Sequence, residues 1–185
     1  MSVVALTPRL VLRHWEYGDA GATHHIYGDD EAMRYFASGR AFTREELIAS
    51  FPRLIEEYAT VGYGNYAVVE RATNRILGHC GARYVPGLDW VEADWALERQ
   101  SWGRGYGTEA AQAVFARAFS VDGVARIVAI AHEDNLASIA LMRRLGMQFC
   151  EELEARGMPS VMYAIEREAF TLPPEVLAEI SILPA

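Results

Sequence analysis

Hydrophobic and polar positions alternate near the start of the chain and then change their spacing several times. Leu10 and Leu12 alternate with other residue types over residues 9–14, which predicts a strand. Residues 19–27 and 29–35 are predicted as two short helices. The chain therefore opens with one strand and then turns helical.

A longer helix is predicted from Thr43. Thr43 and Glu46 form a capping box, and the apolar residues that follow recur at helical spacing to about Ala59. Gly62 and Gly64 are expected to end this helix. Three strands follow, predicted at residues 65–70, 75–85 and 90–97, with turns at 72–74 and Pro86–Gly87.

The second half of the chain alternates between helical and strand patterns. The predicted elements are a helix from Thr108, a strand at 126–131, a helix at 135–145 stopped by Gly146, a hairpin of 149–153 and 160–166, and a short helix starting at Pro173–Pro174. This order is neither a strict strand–helix alternation nor separate runs of each type. It predicts an α/β (α+β) fold with a mixed, mostly antiparallel central sheet and helices on both faces.

Composition narrows the class of protein. The chain has 185 residues, about the length of one domain, with 51% hydrophobic and 23% charged residues, which is ordinary globular usage. The formal net charge of −8 argues against duplex nucleic acid as a partner and suits cationic partners such as amines. Two cysteines cannot build a disulfide framework, and no leader or membrane span is visible. We therefore expect a soluble cytoplasmic protein.

The loop Gly103–Thr108 carries the most informative chemistry. Gly103, Gly105 and Gly107 alternate after a predicted strand and before a predicted helix. Such glycines let successive backbone N–H groups turn toward an anion, so the loop suits a phosphate or pyrophosphate, with Arg104 adding charge. A flexible turn explains the same residues. A P-loop is excluded because no Gly-Lys-Ser/Thr follows, and the spacing is one residue short of a dinucleotide fingerprint.

A second informative segment covers residues 132–147. Asn135 lies at or near the start of a predicted helix, and Ser138 lies three positions further on the stripe of Leu141 and Leu145. Taken as plain structure, Asn135 is an N-cap and Ser138 is a small residue in a helix–sheet contact.

Together the two segments resemble the GNAT superfamily of N-acetyltransferases. Residues 92–110 look like its acetyl-CoA-binding motif, and they are closest to the branch that includes the ribosomal-protein N-terminal acetyltransferases. Residues 135–147 resemble that branch's second CoA motif, and residues 7–13 resemble its first strand. The resemblance runs from about residue 7 to residue 167 and implies a GNAT-like acyl-CoA N-acyltransferase fold.

The resemblance also implies which residues bind the acetyl donor. In the family, backbone amides of the glycine loop hold the CoA pyrophosphate, and the strand before the loop pairs with the pantetheine arm. A backbone N–H of that strand polarises the thioester carbonyl. The implied cofactor-binding residues are Ala96, Leu97, Glu98 and Arg99 of the strand, Gly103, Arg104, Gly105, Tyr106, Gly107 and Thr108 of the loop, and Asn135 and Ser138 of the helix.

Acetyl transfer to an amine needs a deprotonated nucleophile, and a carboxylate can take the proton, often through water. Glu92 and Asp94 are two positions apart on a predicted strand and share one face. Glu92 matches the family position of the base more closely, whereas Asp94 stands where the branch often has a glycine. The alternative to a catalytic role is that both residues form a solvated polar face of the strand. Met142, which cannot donate a proton, stands where many members have a tyrosine. Ser138 is then the candidate proton donor to the leaving thiolate. A thiolate is also able to leave without a proton donor.

The predicted function is an acetyl-CoA-dependent N-acetyltransferase that moves an acetyl group to a primary amine by direct attack in a ternary complex. The alternative is a non-catalytic acyl-CoA-binding sensor, for which Met142 leaves room and against which Glu92 argues. The acceptor is expected to be a protein N-terminus or a small amine. The acceptor's identity and the choice between monomer and homodimer stay open.

The catalytic domain is predicted to cover residues 1–167, and residues 168–185 form a tail with a short helix whose apolar residues could pack on a neighbour. No metal site is expected, because the five histidines show no metal-ligand spacing. Neither nucleic acid nor membrane is expected as a direct partner. Three aromatic residues belong either to an acceptor cleft or to the core, namely Trp15, Tyr17 and Tyr35.

Overall fold

The computed structural model describes residues 2–36, 38–61, 64–84, 90–120 and 123–183, with the side chains of 57–61 outside that description. Within these ranges the strands are β1 Val3–Leu6, β2 Leu10–Arg13, β3 Asn65–Glu70, β4 Ile76–Tyr84, β5 Val91–Leu97, β6 Arg126–His132, β7 Gln148–Ala155, β8 Met158–Glu166 and β9 Ser181–Ile182. The helices in the same ranges are α1 Asp19–Ala22, α2 His24–Tyr27, α3 Asp30–Met33, α4 Arg44–Val61, α5 Tyr106–Ser120, α6 Leu136–Arg144 and α7 Pro174–Glu179, with 3₁₀ turns at Arg99–Ser101 and Arg167–Ala169.

The described strands form one sheet in the order β7-β8-β6-β5-β4-β3-β2-β1-β9. Neighbouring strands run antiparallel except for β5 and β6, which are parallel. A parallel pair needs a crossover connection, and α5 supplies it between these two strands. The predicted mixed, mostly antiparallel sheet is confirmed.

Helices cover both faces of this sheet, as predicted. On one face α5 packs on β4, β2 and β1, with Phe115 fully buried; burying a side chain of that size stabilises the fold by ~1.5–3 kcal/mol. On the other face lie α1 to α4, where the Arg13 guanidinium donates to both Asp19 carboxylate oxygens at 2.6 and 2.9 Å. Trp15 belongs to the core on this side, packed edge-on against Phe51.

Local signals set the ends of two helices as expected. Glu46 N–H donates to Thr43 Oγ1 at 3.2 Å while Thr43 N–H donates to Glu46 Oε2 at 2.8 Å, which is the capping box of α4. Asn135 caps α6 through its side-chain oxygen. Gly146 follows α6 with a φ of +82°, the left-handed conformation that ends helices.

The structure differs from the sequence-based elements at the edges. Strands β1 and β9 were not predicted, since each is short; β1 pairs with the nearby β2 and with the distant β9. Helix α5 begins at Tyr106, two residues before the predicted Thr108. The tail packs on its own chain, where Ile180 and Ile182 contact the core. Three predicted features fall outside the described residues: the Pro86–Gly87 turn, the stop at Gly62 and the apolar stripe near Ala59.

In the ranges that the structure describes, no helix is both long enough and apolar enough to cross a bilayer.

Candidate active site

The two parallel strands of the sheet separate part-way along their length. The ladder between β5 and β6 ends at the pair Ala93–Ala129, while β5 continues to Leu97 and β6 continues to His132. A cleft of about 970 Å³ lies at this opening. The β5 edge beyond Ala93 therefore presents backbone groups that another extended chain can pair with.

The direction of these backbone groups follows from the alternation along a strand. Glu98 N–H donates to Leu77 O of β4 at 2.8 Å, so the backbone groups of Trp95 and Leu97 point the other way, toward the cleft. The Trp102 indole donates to Leu97 O at 2.7 Å. The Trp95 N–H and C=O groups and the Leu97 N–H then face the cleft.

Of the four strand residues implied to bind cofactor, two reach the cleft and two do not. Ala96 and Leu97 line it. The Glu98 carboxylate is instead buried under the strand end, where it accepts from Arg75 and from Ser101 Oγ. Arg99 is absent from the cleft lining and lies 3.6 Å from the Asp29 carboxylate. These two residues anchor the turn between β5 and the glycine loop.

The glycine loop forms the next part of the cleft wall through Gly103, Gly105, Gly107 and Thr108. Gly103 and Gly105 have φ values of +71° and +81°, in the left-handed region that side chains disfavour. The first backbone hydrogen bond of α5 runs from Glu109 N–H to Gly105 O at 3.1 Å. The earlier N–H groups have no intrahelical acceptor, and with the helix dipole they favour an anion here.

A cluster of side chains beneath the loop holds its shape. The Arg9 guanidinium donates to Glu109 at 2.6 Å and to Arg104 O at 2.9 Å, and it lies 4.5 Å from the centroid of the Tyr106 ring. Tyr106 in turn donates to Glu70, which raises the pKa of Tyr106 and lowers the pKa of Glu70. Arg104 and Tyr106 are absent from the cleft lining, and the Arg104 guanidinium lies 4.9 Å from the centroid of the Tyr106 ring.

The start of α6 forms the opposite wall. Asn135 Oδ1 accepts from Ser138 N–H at 3.2 Å, and Ser138 Oγ accepts from the Trp95 indole at 2.9 Å, which ties α6 to β5. Both Asn135 and Ser138 line the cleft. Met142 does not, because it is 1% exposed in the core between α6 and the sheet.

The two predicted catalytic carboxylates have different surroundings. Glu92 accepts from Arg156 at 2.5 Å and lies 3.7 Å from Arg83, and its side chain is 9% exposed. Asp94 is 30% exposed, and Asn65 Nδ2 donates to its Oδ2 at 3.2 Å. Its Oδ1 atom is buried and has no hydrogen-bond partner among the described residues. The cations therefore neutralise Glu92 and leave Asp94 less constrained.

Three further residues line the cleft; Tyr35 was named from the sequence as a possible cleft residue, and Arg144 and Val176 were not. Tyr35, in the turn after α3, donates from its hydroxyl to Asp134 O at 3.2 Å, and its ring centroid lies 5.0 Å from that of His132, so it bridges the two walls. Arg144 lines the cleft from the last turn of α6, and Val176 of α7 lines it from the tail. From the sequence, Tyr35 was predicted to lie either in an acceptor cleft or in the core. No local pattern marks Arg144 or Val176 as cleft residues.

A strand edge open beside a glycine loop at a helix N-terminus is the arrangement that the resemblance implies for an acyl-CoA-dependent transferase. The chain belongs to the GNAT acetyltransferase family, because the family model described as acetyltransferase (GNAT) domain matches residues 9–148. The predicted family and the predicted acetyltransferase class are confirmed. Enzymes of this family use acetyl-CoA.

Relatives and solved structures agree with this placement. The uncharacterized N-acetyltransferase YnaD of Bacillus subtilis is 28% identical over 142 residues, covering 77% of this chain and 81% of that protein. A GNAT-family acetyltransferase from Bacillus anthracis superposes with a TM-score of 0.77 at 25% identity, over 91% of this chain and 99% of that one. The ribosomal L7/L12 α-N-protein acetyltransferase RimL, solved with coenzyme A, shares the fold with a TM-score of 0.78 at 19% identity, over 91% and 99% of the two chains.

Proposed function

We propose that this protein is an acetyl-CoA-dependent N-acetyltransferase that moves the acetyl group directly to a primary amine while both substrates are bound. One observation carries the proposal. A strand edge with outward-facing backbone groups and an anion-suited glycine loop lie in the same continuous cleft, as an amide-containing arm joined to a pyrophosphate would require. The family membership supports the same chemistry.

The residues of the cleft fit the parts of acetyl-CoA. Backbone groups of Trp95 and Leu97 would pair with the amides of the pantetheine arm, and Asn135 would meet the arm from α6. The N–H groups of Gly105 to Thr108 would hold the pyrophosphate. Arg144 would add a positive charge for a phosphate in a chain whose net charge is −8.

Bound acetyl-CoA supplies an activated acetyl thioester. The chain's own backbone N–H groups at the β5 edge would hold the carbonyl oxygen and stabilise the negative charge that develops there as the amine attacks. An ammonium substrate must first lose a proton, and a carboxylate near the β5 edge would take it. Ser138 accepts a hydrogen bond from the Trp95 indole, so its own hydroxyl hydrogen stays available for the departing thiolate.

Between the two carboxylates, the surroundings favour Asp94 as the base. The Glu92 carboxylate is an ion-pair partner of Arg156 and Arg83, and neither Glu92 nor Asp94 itself lines the cleft. Asp94 is more exposed, has one unpartnered oxygen and directly precedes Trp95 of the cleft wall. Glu92 stays the candidate that the family pattern implies, and substitution of each separates them.

The acceptor is proposed to be a primary amine of a protein N-terminus or of a small molecule. Structural neighbours below 25% identity include RimL, named for ribosomal L7/L12, and an aminoglycoside acetyltransferase. A peptide with a free α-amine, an aminoglycoside and a polyamine therefore make a rational first panel.

The test is a thiol-release assay with acetyl-CoA and each amine of the panel, together with mass spectrometry of the amine. We expect CoA release that depends on the amine and an acetylated product. A sensor domain would instead bind acetyl-CoA without release by any amine. That outcome would replace the proposed enzyme by the alternative of a non-catalytic acyl-CoA-binding domain.

A further inference from the structure

We propose that Tyr27 and His79 form a buried hydrogen-bond chain that positions the Asp94 carboxylate, one residue before the cleft-lining Trp95. This role rests on the proposed acetyl transfer, in which Asp94 takes the proton of the amine. Tyr27 and His79 are positioning residues in this proposal, since they act on the substrate only through Asp94.

The first link joins α2 to β4. The Tyr27 hydroxyl lies 2.7 Å from His79 Nδ1, and the two rings stack with centroids 5.8 Å apart. Burial raises the pKa of Tyr27, so the phenol keeps its proton, and burial lowers the pKa of His79, so the imidazole is neutral. We assign the ring proton of His79 to Nε2, because that nitrogen faces the Asp94 carboxylate at 3.9 Å, and the phenol then donates to Nδ1.

The second link is still open in the structure. His79 Nε2 lies 3.9 Å from Asp94 Oδ1, which is too long for a hydrogen bond. Both atoms are buried and have no partner within the described part of the chain. A shift of about 1 Å would give each atom the partner it lacks, and hydrogen bonds of this kind often tighten only when substrates are bound. The donor and the acceptor are therefore already matched across the gap.

The polar and charged groups around Asp94 determine how its carboxylate and the His79 ring interact. Asn65 of β3 donates to the other carboxylate oxygen, so a hydrogen bond from His79 would fix the carboxylate on both sides. Arg83 of β4 disfavours a charged imidazole, whereas Asp94 favours one. Glu92 lies on the same face of β5 and is neutralised by Arg83 and Arg156.

One aromatic residue links this cluster to the cleft. Phe36 lines the cleft and packs edge-on against the His79 ring with centroids 6.2 Å apart. His79 thus lies directly behind the cleft wall.

The first experiment reads the tautomer of His79 by NMR of the full chain labelled with ¹⁵N-histidine, with His79→Gln assigning the signals. We expect a neutral ring with the proton on Nε2 in the wild type. Tyr27→Phe should move part of the population to the Nδ1-protonated form, because its donor to Nδ1 is gone. Tyr66→Phe is the matched control, since it also removes a buried phenol hydroxyl, on the opposite face of the sheet.

The second experiment measures kcat against pH for an amine accepted in the thiol-release assay. We expect Tyr27→Phe to lower kcat about tenfold and His79→Leu to lower it more, with the KM for acetyl-CoA nearly unchanged, because positioning the base supplies only part of the ~10²–10⁴-fold that proton-transfer catalysis contributes. His79→Gln, which keeps a side-chain N–H donor, should recover part of the loss. The pH at which kcat rises should shift in Tyr27→Phe and stay in Tyr66→Phe.

Two results would overturn the chain. One is an NMR result: either His79 is Nδ1-protonated in the wild type, or the tautomer of His79 in Tyr27→Phe does not differ from that in the wild type. The other is equal kcat and pH profiles for Tyr27→Phe and Tyr66→Phe. Failure of every amine to accept an acetyl group would instead overturn the proposed function, and the NMR result would then decide the hydrogen-bond chain alone.

Discussion

Glu92 and Asp94 lie two positions apart on one face of β5, yet they differ in their ion-pair and hydrogen-bond partners. Two arginines hold Glu92, and its side chain is 9% exposed, so its charge is committed to Arg156 and Arg83. Asp94 keeps one buried oxygen without a partner in the described chain. Sequence spacing places both on one face but carries no information about which one the arginines reach.

The Asp94→Asn and Glu92→Gln variants form a matched pair that tests this assignment. Asp94→Asn should lower kcat ~100-fold or more with little change in the affinity for acetyl-CoA, because it removes a proton acceptor and keeps the shape. Glu92→Gln should mainly lower the free energy of unfolding, by about 1–3 kcal/mol, because it weakens charged hydrogen bonds to Arg156. Steady-state kinetics and urea unfolding measure the two effects. A large kcat loss in Glu92→Gln with unchanged stability would return the base to Glu92.

Gly105 allows a test of the loop as the phosphate site. An alanine there would pay ~1–2 kcal/mol of left-handed strain, and its Cβ would lie 3.3 Å from the Arg9 guanidinium that holds the loop. We expect acetyl-CoA to bind about tenfold more weakly to Gly105→Ala, a loss of about 1.4 kcal/mol. Gly123→Ala is the control, since its φ of +86° imposes the same strain with no atom within 4 Å of the new Cβ. Equal affinity in the two variants would contradict the assignment.

The segment from α7 to β9 shows what a short element contributes when its partner is far away in sequence. β9 pairs with β1, and the Leu183 carbonyl accepts from Arg117 of α5 at 2.6 Å. This arrangement brings Val176, Glu179 and Ile180 to the cleft wall. Two strand residues are too few for an alternation pattern, so the sequence predicted α7 but not its place beside the cleft.

Val176 and Leu177 are neighbours on α7 that test the tail's contribution. Val176 lines the cleft, whereas Leu177 is 56% exposed and does not. Val176→Ser should weaken acetyl-CoA binding about threefold to tenfold, because an apolar contact worth roughly 1 kcal/mol is lost, and Leu177→Ser should bind as the wild type does. The dissociation constants of the two variants for acetyl-CoA, measured by calorimetric titration, test this difference. Similar losses in both variants would mean that the tail acts through stability rather than contact.

Across the molecule, the sequence predicts what depends on local pattern and misses what depends on long-range placement. The α4 capping box and the Asn135 cap follow from residues close together in the chain, and the mixed sheet follows from the order of the elements. The Arg9 and Glu109 pair that holds the glycine loop joins residues 100 positions apart. Periodicity places each residue on an element, but only packing brings the two side chains together.

The whole fold should lose stability as pH falls below about 6.5, the ordinary pKa of histidine. Burial lowers the pKa of His79 in the folded chain, so the unfolded chain takes up a proton that the folded chain resists, and the free energy of unfolding falls with falling pH. Each such histidine contributes a slope of at most about 1.4 kcal/mol per pH unit. His14, whose pKa is also lowered by burial, adds to it.

Urea unfolding between pH 7.5 and 5 measures this slope. His79→Gln should flatten it and leave the part due to His14. Carboxylates such as Glu46, whose pKa is lowered to about 2, lose their contribution only at lower pH, so they do not mask the effect. An unchanged slope in His79→Gln would contradict a buried neutral histidine at this position.

Calorimetric titration with acetyl-CoA, beside dephospho-CoA and ADP, is the measurement that addresses the central claim most directly. If the cleft between β5 and β6 is the acyl-CoA site, acetyl-CoA should bind one to one and more tightly than either control, and Gly105→Ala should bind it more weakly. No heat of binding at high ligand concentration, or ADP binding as tightly as acetyl-CoA, would contradict the claim.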